Sequence, residues 1–216
     1  MNSSLLDKCS SEKDLGITFD ESMKFDIHIN TIIKKAHQML GLIKRTFSYL
    51  RKDIFLKLYK ALVRPHLEYG NVIWNPILKG QSIAIERIQR RATKLVKGCK
   101  NMSYDDRLKY LRLHSLKGRR TRGDLIQTYK IFNGIDDLAI DKFFMLSNVQ
   151  STRNPDRKIF KQHNTTNIRN HCYSNRIIAH WNLLPVTTKY AKSVEEFKKT
   201  LDDNETMAKL FCDYDE

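Results

Sequence analysis

Apolar and polar positions change their spacing along the chain, and that spacing predicts its elements. Leu15, Ile17 and Phe19 alternate with Asp14, Gly16, Thr18 and Asp20, the period of a half-buried strand ending in a turn. A strand needs a partner, and the short polar stretch before it offers no convincing one. Residues 1–13, rich in serine and without periodicity, are expected to be loop or sequence foreign to the fold. From Asp26 the period becomes helical: Ile29, Ile32, Ile33, Ala36, Leu40, Ile43 and Phe47 form one stripe, with Asp26 as a candidate N-cap. Asp53 is placed to cap a second helix bearing Ile54, Leu58, Ala61 and Leu62. Pro65 should kink or end it, because proline lacks an amide hydrogen and crowds the preceding turn.

The third predicted helix spans about Gln81 to Lys97. At about 100° per residue, Ile85, Ile88, Ala92, Leu95 and Val96 share one face, while Arg87, Arg90, Arg91, Lys94 and Lys97 cluster on the other. Gly98 supplies a stop. A short helix follows from Ser103 and a longer one from Ser115 to Phe132, closed by Asn133-Gly134. Beyond Ser147 the chain turns polar and turn-rich, so a boundary is expected near residues 147–155, with Lys158 to Lys161 as a short strand. Ile177, Ile178, Trp181 and Leu184 then make a helical stripe ended by Pro185. Ser193 and Glu196 form a capping-box pair before Phe197 and Leu201, and residues 202–216 read as a frayed acidic tail.

Charge changes this picture most. The 216 residues carry 39 Lys and Arg against 24 Asp and Glu, a formal charge of +15. An excess of this size points to polyanionic partners. Between Ile85 and Arg122 thirteen basic residues face only Glu86, Asp105 and Asp106, so this stretch holds +10 of the total. A solvated basic face usually interleaves acids at helical spacing. This ridge has only Glu86, which favours phosphate contact over a bland surface. Lys117, Arg119, Arg120 and Arg122 continue the same sign as a second candidate cluster. The aromatics Phe47, Tyr49, Phe55, Tyr59, Tyr69 and Trp74 are expected in the core rather than as base-stacking platforms.

Other chemistries find little support. No uninterrupted apolar run approaches membrane-spanning length, and the first dozen residues have no signal-peptide centre, so an intracellular protein of nucleus or cytoplasm is expected, without a membrane partner. Cys9, Cys99, Cys172 and Cys212 are widely spaced and read as reduced thiols. Tyr104-Asp105-Asp106 invites comparison with a polymerase metal-binding turn. Ser103 and Asp106 before Leu108 and Leu111 read instead as a helix start. His163, His171, Cys172 and His180 lack the close spacing of a zinc module. The common hydrolase and P-loop signatures are missing, and no small-molecule substrate is expected.

Six ordered blocks carry a resemblance: Lys13-Asp-Leu-Gly-Ile17 with Phe19-Asp20, Leu40-Gly-Leu-Ile-Lys-Arg45, Leu58 through Arg64-Pro-His-Leu-Glu-Tyr-Gly70, Ile85 through Lys94, Ser103-Tyr-Asp-Asp-Arg-Leu108, and Trp181-Asn-Leu-Leu-Pro185. Together, over about residues 12–201, the chain resembles the C-terminal part of the reverse transcriptase of non-long-terminal-repeat, LINE-type retrotransposons, nearest the jockey-like group. The resemblance implies a mainly α fold: a remnant palm strand and turn at 14–25, a helical thumb and its extension at 26–147, and a smaller α+β post-thumb region at 148–201. It also implies that the family's catalytic aspartates and endonuclease lie outside this sequence, as in a truncated reading frame. The expectation is a chain that does not polymerise alone and needs no cofactor; Mg²⁺ belongs only to the complete polymerase. The implied partners are an RNA template or RNA–DNA hybrid and, in a complete enzyme, the palm and fingers. The alternative implied is the C-terminal portion of such an enzyme, with its palm encoded upstream.

Overall fold

The strand at Ile17–Asp20 finds its partner in the segment expected to be leader. In the computed structural model, which describes residues 9–47, 49–147 and 157–203, β1 (Ser11–Asp14) pairs antiparallel with β2 (Ile17–Asp20), Ser11 opposite Asp20 and Asp14 opposite Ile17. The expectation of an unpaired strand is therefore corrected. A two-residue turn suffices, because Leu15 and Gly16 both take positive φ, 44° and 85°, matching the twist of a tight hairpin. Leu15 consequently sits at the exposed tip, 79% accessible, and leaves the buried face to Ile17.

The hairpin docks at one place. Gly70 holds φ 64°, a left-handed backbone that favours glycine, and a methyl group there would come within 2.6 Å of Ile17 Cδ1 and push that side chain aside. The Tyr69 hydroxyl donates to the Leu15 carbonyl at 2.9 Å. The Thr18 amide donates to Nδ1 of buried His28 at 3.3 Å, whose ring meets Trp74 edge-on at 5.2 Å. Burial, with a lesser push from Lys35, lowers the His28 pKa. His37 and His114 are lowered too, again chiefly by burial. Histidines depressed in the folded state favour folding while neutral, and that contribution is lost as pH falls below about 6.5 toward the folded values. Stability is accordingly expected to drop between pH 7 and pH 5 in thermal melts, with a shallower drop in His28→Gln. An equal drop in that variant would acquit His28.

Helix α1 (Asp26–Thr46) buries Ile29, Ile32, Ala36, Leu40 and Ile43, as its stripe predicts. Ile33 is only partly buried, and Phe47 lies beyond the helix end. Asp26 is inside the first turn rather than at the N-cap, where Phe25 sits in the left-handed region without a side-chain cap. Its carboxylate instead accepts from the Gln81 side chain.

The next helical run departs from its predicted face. α2 (Lys52–Leu58) passes through a π turn (Tyr59–Val63) into α3 (Arg64–Glu68), so Pro65 neither ends nor breaks the run. The Arg64 amide reaches back five residues to Tyr59, and this wider turn accommodates the proline. The buried residues are Phe55, Tyr59, Val63 and Leu67; Ala61 and Leu62 face solvent. Four-residue spacing drifts about 40° per step on a regular α-helix. The wide turn offsets that drift and keeps all four on the core side.

α4 (Lys79–Thr93) buries Ile85, Ile88 and Ala92. α5 (Tyr104–Leu111) starts as read from sequence: Ser103 Oγ accepts from the Asp106 amide at 3.1 Å and donates to its carboxylate at 2.6 Å. α6 (Leu116–Phe132) is capped by Ser115 and closed before Gly134, whose φ is 60°. Short helices follow: α7 (Asn167–His171), α8 (Tyr173–Arg176), α9 (Ile178–Leu183) and α10 (Val186–Lys189), then α11 (Val194–Asp203). Ser193 caps α11 through the Glu196 amide at 3.1 Å, and Phe197 and Leu201 are fully buried.

The architecture is mainly helical. Beyond residue 157 the regular elements of the described residues are helices from Asn167 onward, and Lys158 to Lys161 supplies only a bridge, Leu146 opposite Ile159, so the expected α+β character of that region is corrected. The described residues form two apolar cores. One gathers residues from Ile17 to Leu116; the other gathers Leu125, Tyr129 and Ile131 with residues from Phe144 to Leu201. Their division falls inside α6, whereas most of the boundary expected at 147–155 lies outside the described residues. Asp202 belongs to α11 and not to a frayed tail; residues 204–216 lie outside the described residues.

Candidate nucleic-acid interface

α4 presents Arg87, Arg90 and Arg91 on the side opposite its buried residues, and all three are exposed, as are Lys94 and Lys97. The helix ends at Thr93, however, earlier than the expected Lys97. Its last turn tightens, the Lys94 and Leu95 amides donating three residues back to Arg91 and Ala92. The chain then turns so that Val96 bridges Leu50 and the Lys97 amide donates to the Leu50 carbonyl at 3.1 Å. The five cations are thus exposed along a helix and a following turn, not along one helix alone.

Each cation is held differently. The Arg90 guanidinium lies over the Tyr104 ring at 4.5 Å, and the Lys97 ammonium over the Tyr49 ring at 4.7 Å, contacts that orient the side chains without neutralising them. Arg91 is close enough to α1 for its charge to add to the depression of His37, after burial. Among the described residues none of the five makes an ion pair. Glu86, the acid expected to temper this ridge, is turned away: its carboxylate accepts from the Leu116 amide at 3.0 and 3.2 Å and from the Tyr104 hydroxyl. There it serves the positive N-terminus of α6.

Behind the ridge lies a closed polar network. The Tyr59 hydroxyl donates to Gln89 Oε1 at 2.7 Å, and Gln89 Nε2 donates to the Tyr104 hydroxyl at 2.9 Å and the His114 carbonyl at 3.0 Å. Burial and the nearby Glu86 push both phenols up, so they stay protonated donors. Such a network fixes α4 against its neighbours and so fixes the ridge.

The arginines of the second cluster are committed to partners within the chain. Arg119 grips Glu68 of α3 with Nε and Nη2, the latter at 2.9 Å, while Arg64 approaches the same carboxylate at 3.6 Å. Burial opposes ionisation of Arg119, yet Glu68 raises its pKa overall. Arg122 pairs both Asp202 oxygens at 2.8 Å. Arg120 is buried at 4% exposure, donating to Asn75 and Ser82. Lys117 is half-buried. These four residues are therefore not brought together with the ridge as one exposed patch.

Tyr49 is one of three aromatics that sequence reasoning misplaced. It is 52% exposed beside Lys97, as Phe47 and Tyr69 are also exposed, whereas Phe55, Tyr59 and Trp74 are buried as expected. Its signal was available: Tyr49 follows the last stripe residue of α1 and precedes Arg51, outside either apolar period. Among the described residues no group of three or more His, Cys, Asp or Glu is placed to hold a metal, and no helix is long and apolar enough to cross a membrane.

No family model matches the chain, and no solved structure matches it. An uncharacterized protein of Caenorhabditis elegans is 28% identical over 125 residues, which cover 56% of this chain. The chain spans 63% of that relative's length, and the similarity names no chemistry.

Proposed function

We propose that the chain is a reverse-transcriptase segment of the non-long-terminal-repeat type, non-catalytic by itself, that holds RNA or an RNA–DNA hybrid by its phosphates. The observation that supports this reading best is the surface formed by Arg87, Arg90, Arg91, Lys94 and Lys97, all exposed and without ion-pair partners among the described residues. Point charges on such a surface reward phosphate spacing and read little of the bases. Tyr49 adds an aromatic face beside Lys97 for an unpaired base.

The test is a salt titration of fluorescent RNA binding. Each phosphate neutralised on a single strand contributes about −0.7 to the slope of log affinity against log salt, and about −0.9 on B-form duplex. Changing Arg90, Arg91 and Lys94 together to Gln keeps helix propensity and the buried face, so the slope should shrink by about two to three units in a folded variant. An unchanged slope would end this reading of the ridge.

A second reading, the C-terminal portion of a complete RNA-directed DNA polymerase, is favoured by the hairpin. β1 and β2 form a two-stranded sheet, and β1 is largely exposed, the arrangement expected of strands that extend a larger sheet. Reading the genomic frame upstream of Met1 for a carboxylate-bearing palm separates the two.

A further inference from the structure

The structure assigns a second, unrelated site to a cleft of about 380 Å³ between the start of α4, the first half of α6 and the helices α7 to α9. We propose that this cleft binds a phosphate monoester, anchored by Arg120. The guanidinium donates Nε to Asn75 Oδ1 at 3.1 Å and Nη2 to Ser82 Oγ at 3.2 Å, both neutral partners, and the carboxylates of Glu86 and Asp124 offset its charge only through space. Its Nη1 is buried without a hydrogen-bond partner among the described residues. The neighbouring carboxylates are occupied: Asp124 takes Arg176 on both oxygens, at 2.8 and 3.0 Å, and Glu86 takes the Leu116 amide. A buried cation with an unused donor is costly unless an anion completes it.

The donors favour a tetrahedral anion over a carboxylate. With the Nε–Nη2 edge already taken, a planar carboxylate would use only the end-on Nη1 and Nη2 pair and leave the donors of the other elements unused. What remains is the unpaired Nη1 end with one further N–H on Nη2, joined by polar groups on separate elements. Ser82 lines the cleft from α4, Lys117 from α6 and His180 from α9, and His180 Nδ1 is likewise buried without a partner among the described residues. Oxygens spread over a phosphate match such dispersed donors. The volume exceeds a bare phosphate and falls in the range of small-molecule sites, and Pro76, Ile77 and Ile177 supply apolar wall for the organic part. Burial lowers the Arg120 pKa to about 10, still charged at neutral pH. Ser82 lies nine residues from Arg91, about 14 Å along α4, so the cleft is separate from the exposed ridge.

Two carriers share this chemistry, a free nucleotide-sized molecule and the 5′ end of a nucleic acid strand. The probes are inorganic phosphate, a nucleoside 5′-monophosphate, the nucleoside alone, and one oligoribonucleotide with either a 5′-phosphate or a 5′-hydroxyl. Binding is followed by calorimetry and by the arginine side-chain N–H resonances of the full chain. Saturable binding of the monophosphate, a shift of the Arg120 resonance and no binding of the nucleoside are expected. Lys117→Gln should weaken it about tenfold, and Arg120→Gln more, in variants that keep the wild-type circular dichroism. Preference for the 5′-phosphorylated oligonucleotide assigns the strand end; equal binding of both oligonucleotides beside tight monophosphate binding assigns the free molecule. The ridge variant with Arg90, Arg91 and Lys94 replaced should bind the monophosphate unchanged. Absence of a saturable Arg120 shift with every probe, or unaltered affinity in each variant that folds, would overturn the site.

Discussion

Asp124→Ala is expected to lower the unfolding free energy by about 3–5 kcal/mol, a large part of the roughly 5–15 kcal/mol of an ordinary domain. Asp124 and Arg176 are both nearly excluded from solvent and meet through two oxygens. Burial raises the Asp124 pKa, and Arg176 pulls it back. Removing the carboxylate strands a buried guanidinium beside Arg120. Replacing both partners, Asp124→Leu with Arg176→Met, removes the stranded charge and should recover part of the loss. Recovery stays partial because Arg176 also donates to the carbonyls of Asn71, Val72 and His171. Urea unfolding of wild type and the two variants measures this order; a single alanine variant as stable as wild type would show that water reaches the pair.

Trp181→Ala should cost a similar amount, about 3–5 kcal/mol, through the cavity it leaves. Its ring is fully buried, stacks on Phe132 at 4.8 Å and donates Nε1–H to the Arg157 carbonyl at 2.7 Å. Trp181→Phe keeps a ring on Phe132 and should lose much less. Because Trp181 belongs to the second core, hydrogen exchange should quicken first in α11 and in the second half of α6. Amides of α1 and α4 should keep their protection. Uniform loss across all four helices would show one cooperative unit instead of two.

Much of the fold was legible in apolar spacing. The stripes of α1 and α4, the Ser103 and Ser193 caps and the buried set Ile177, Ile178, Trp181 and Leu184 all follow from local period and local hydrogen bonding. What spacing missed came from distant partners. Ser11–Asp14 carries no apolar pattern because its contribution is backbone pairing, and the π turn at Tyr59–Val63 keeps Val63 and Leu67 on the face of Phe55 and Tyr59, which regular helical spacing does not anticipate. In the candidate site, exposure of the ridge was legible from its angle around α4. The commitments of Arg119, Arg120 and Arg122 were not, since their partners Glu68, Asn75 and Asp202 lie far along the chain. A hint existed: Leu116, Arg120, Asp124 and Thr128 recur every four residues, placing two charges on a buried face.

Because the two cores divide within α6, the two halves of that helix meet their partners at different moments of synthesis. Leu116 closes a core whose other members have already left the ribosome, whereas Leu125, Tyr129 and Ile131 wait for Tyr173 through Leu201. At about 5–20 residues per second that wait lasts about 2 to 15 s. During it the nascent chain displays a folded front half with an apolar stripe projecting from its last helix, the kind of surface that chaperones grasp.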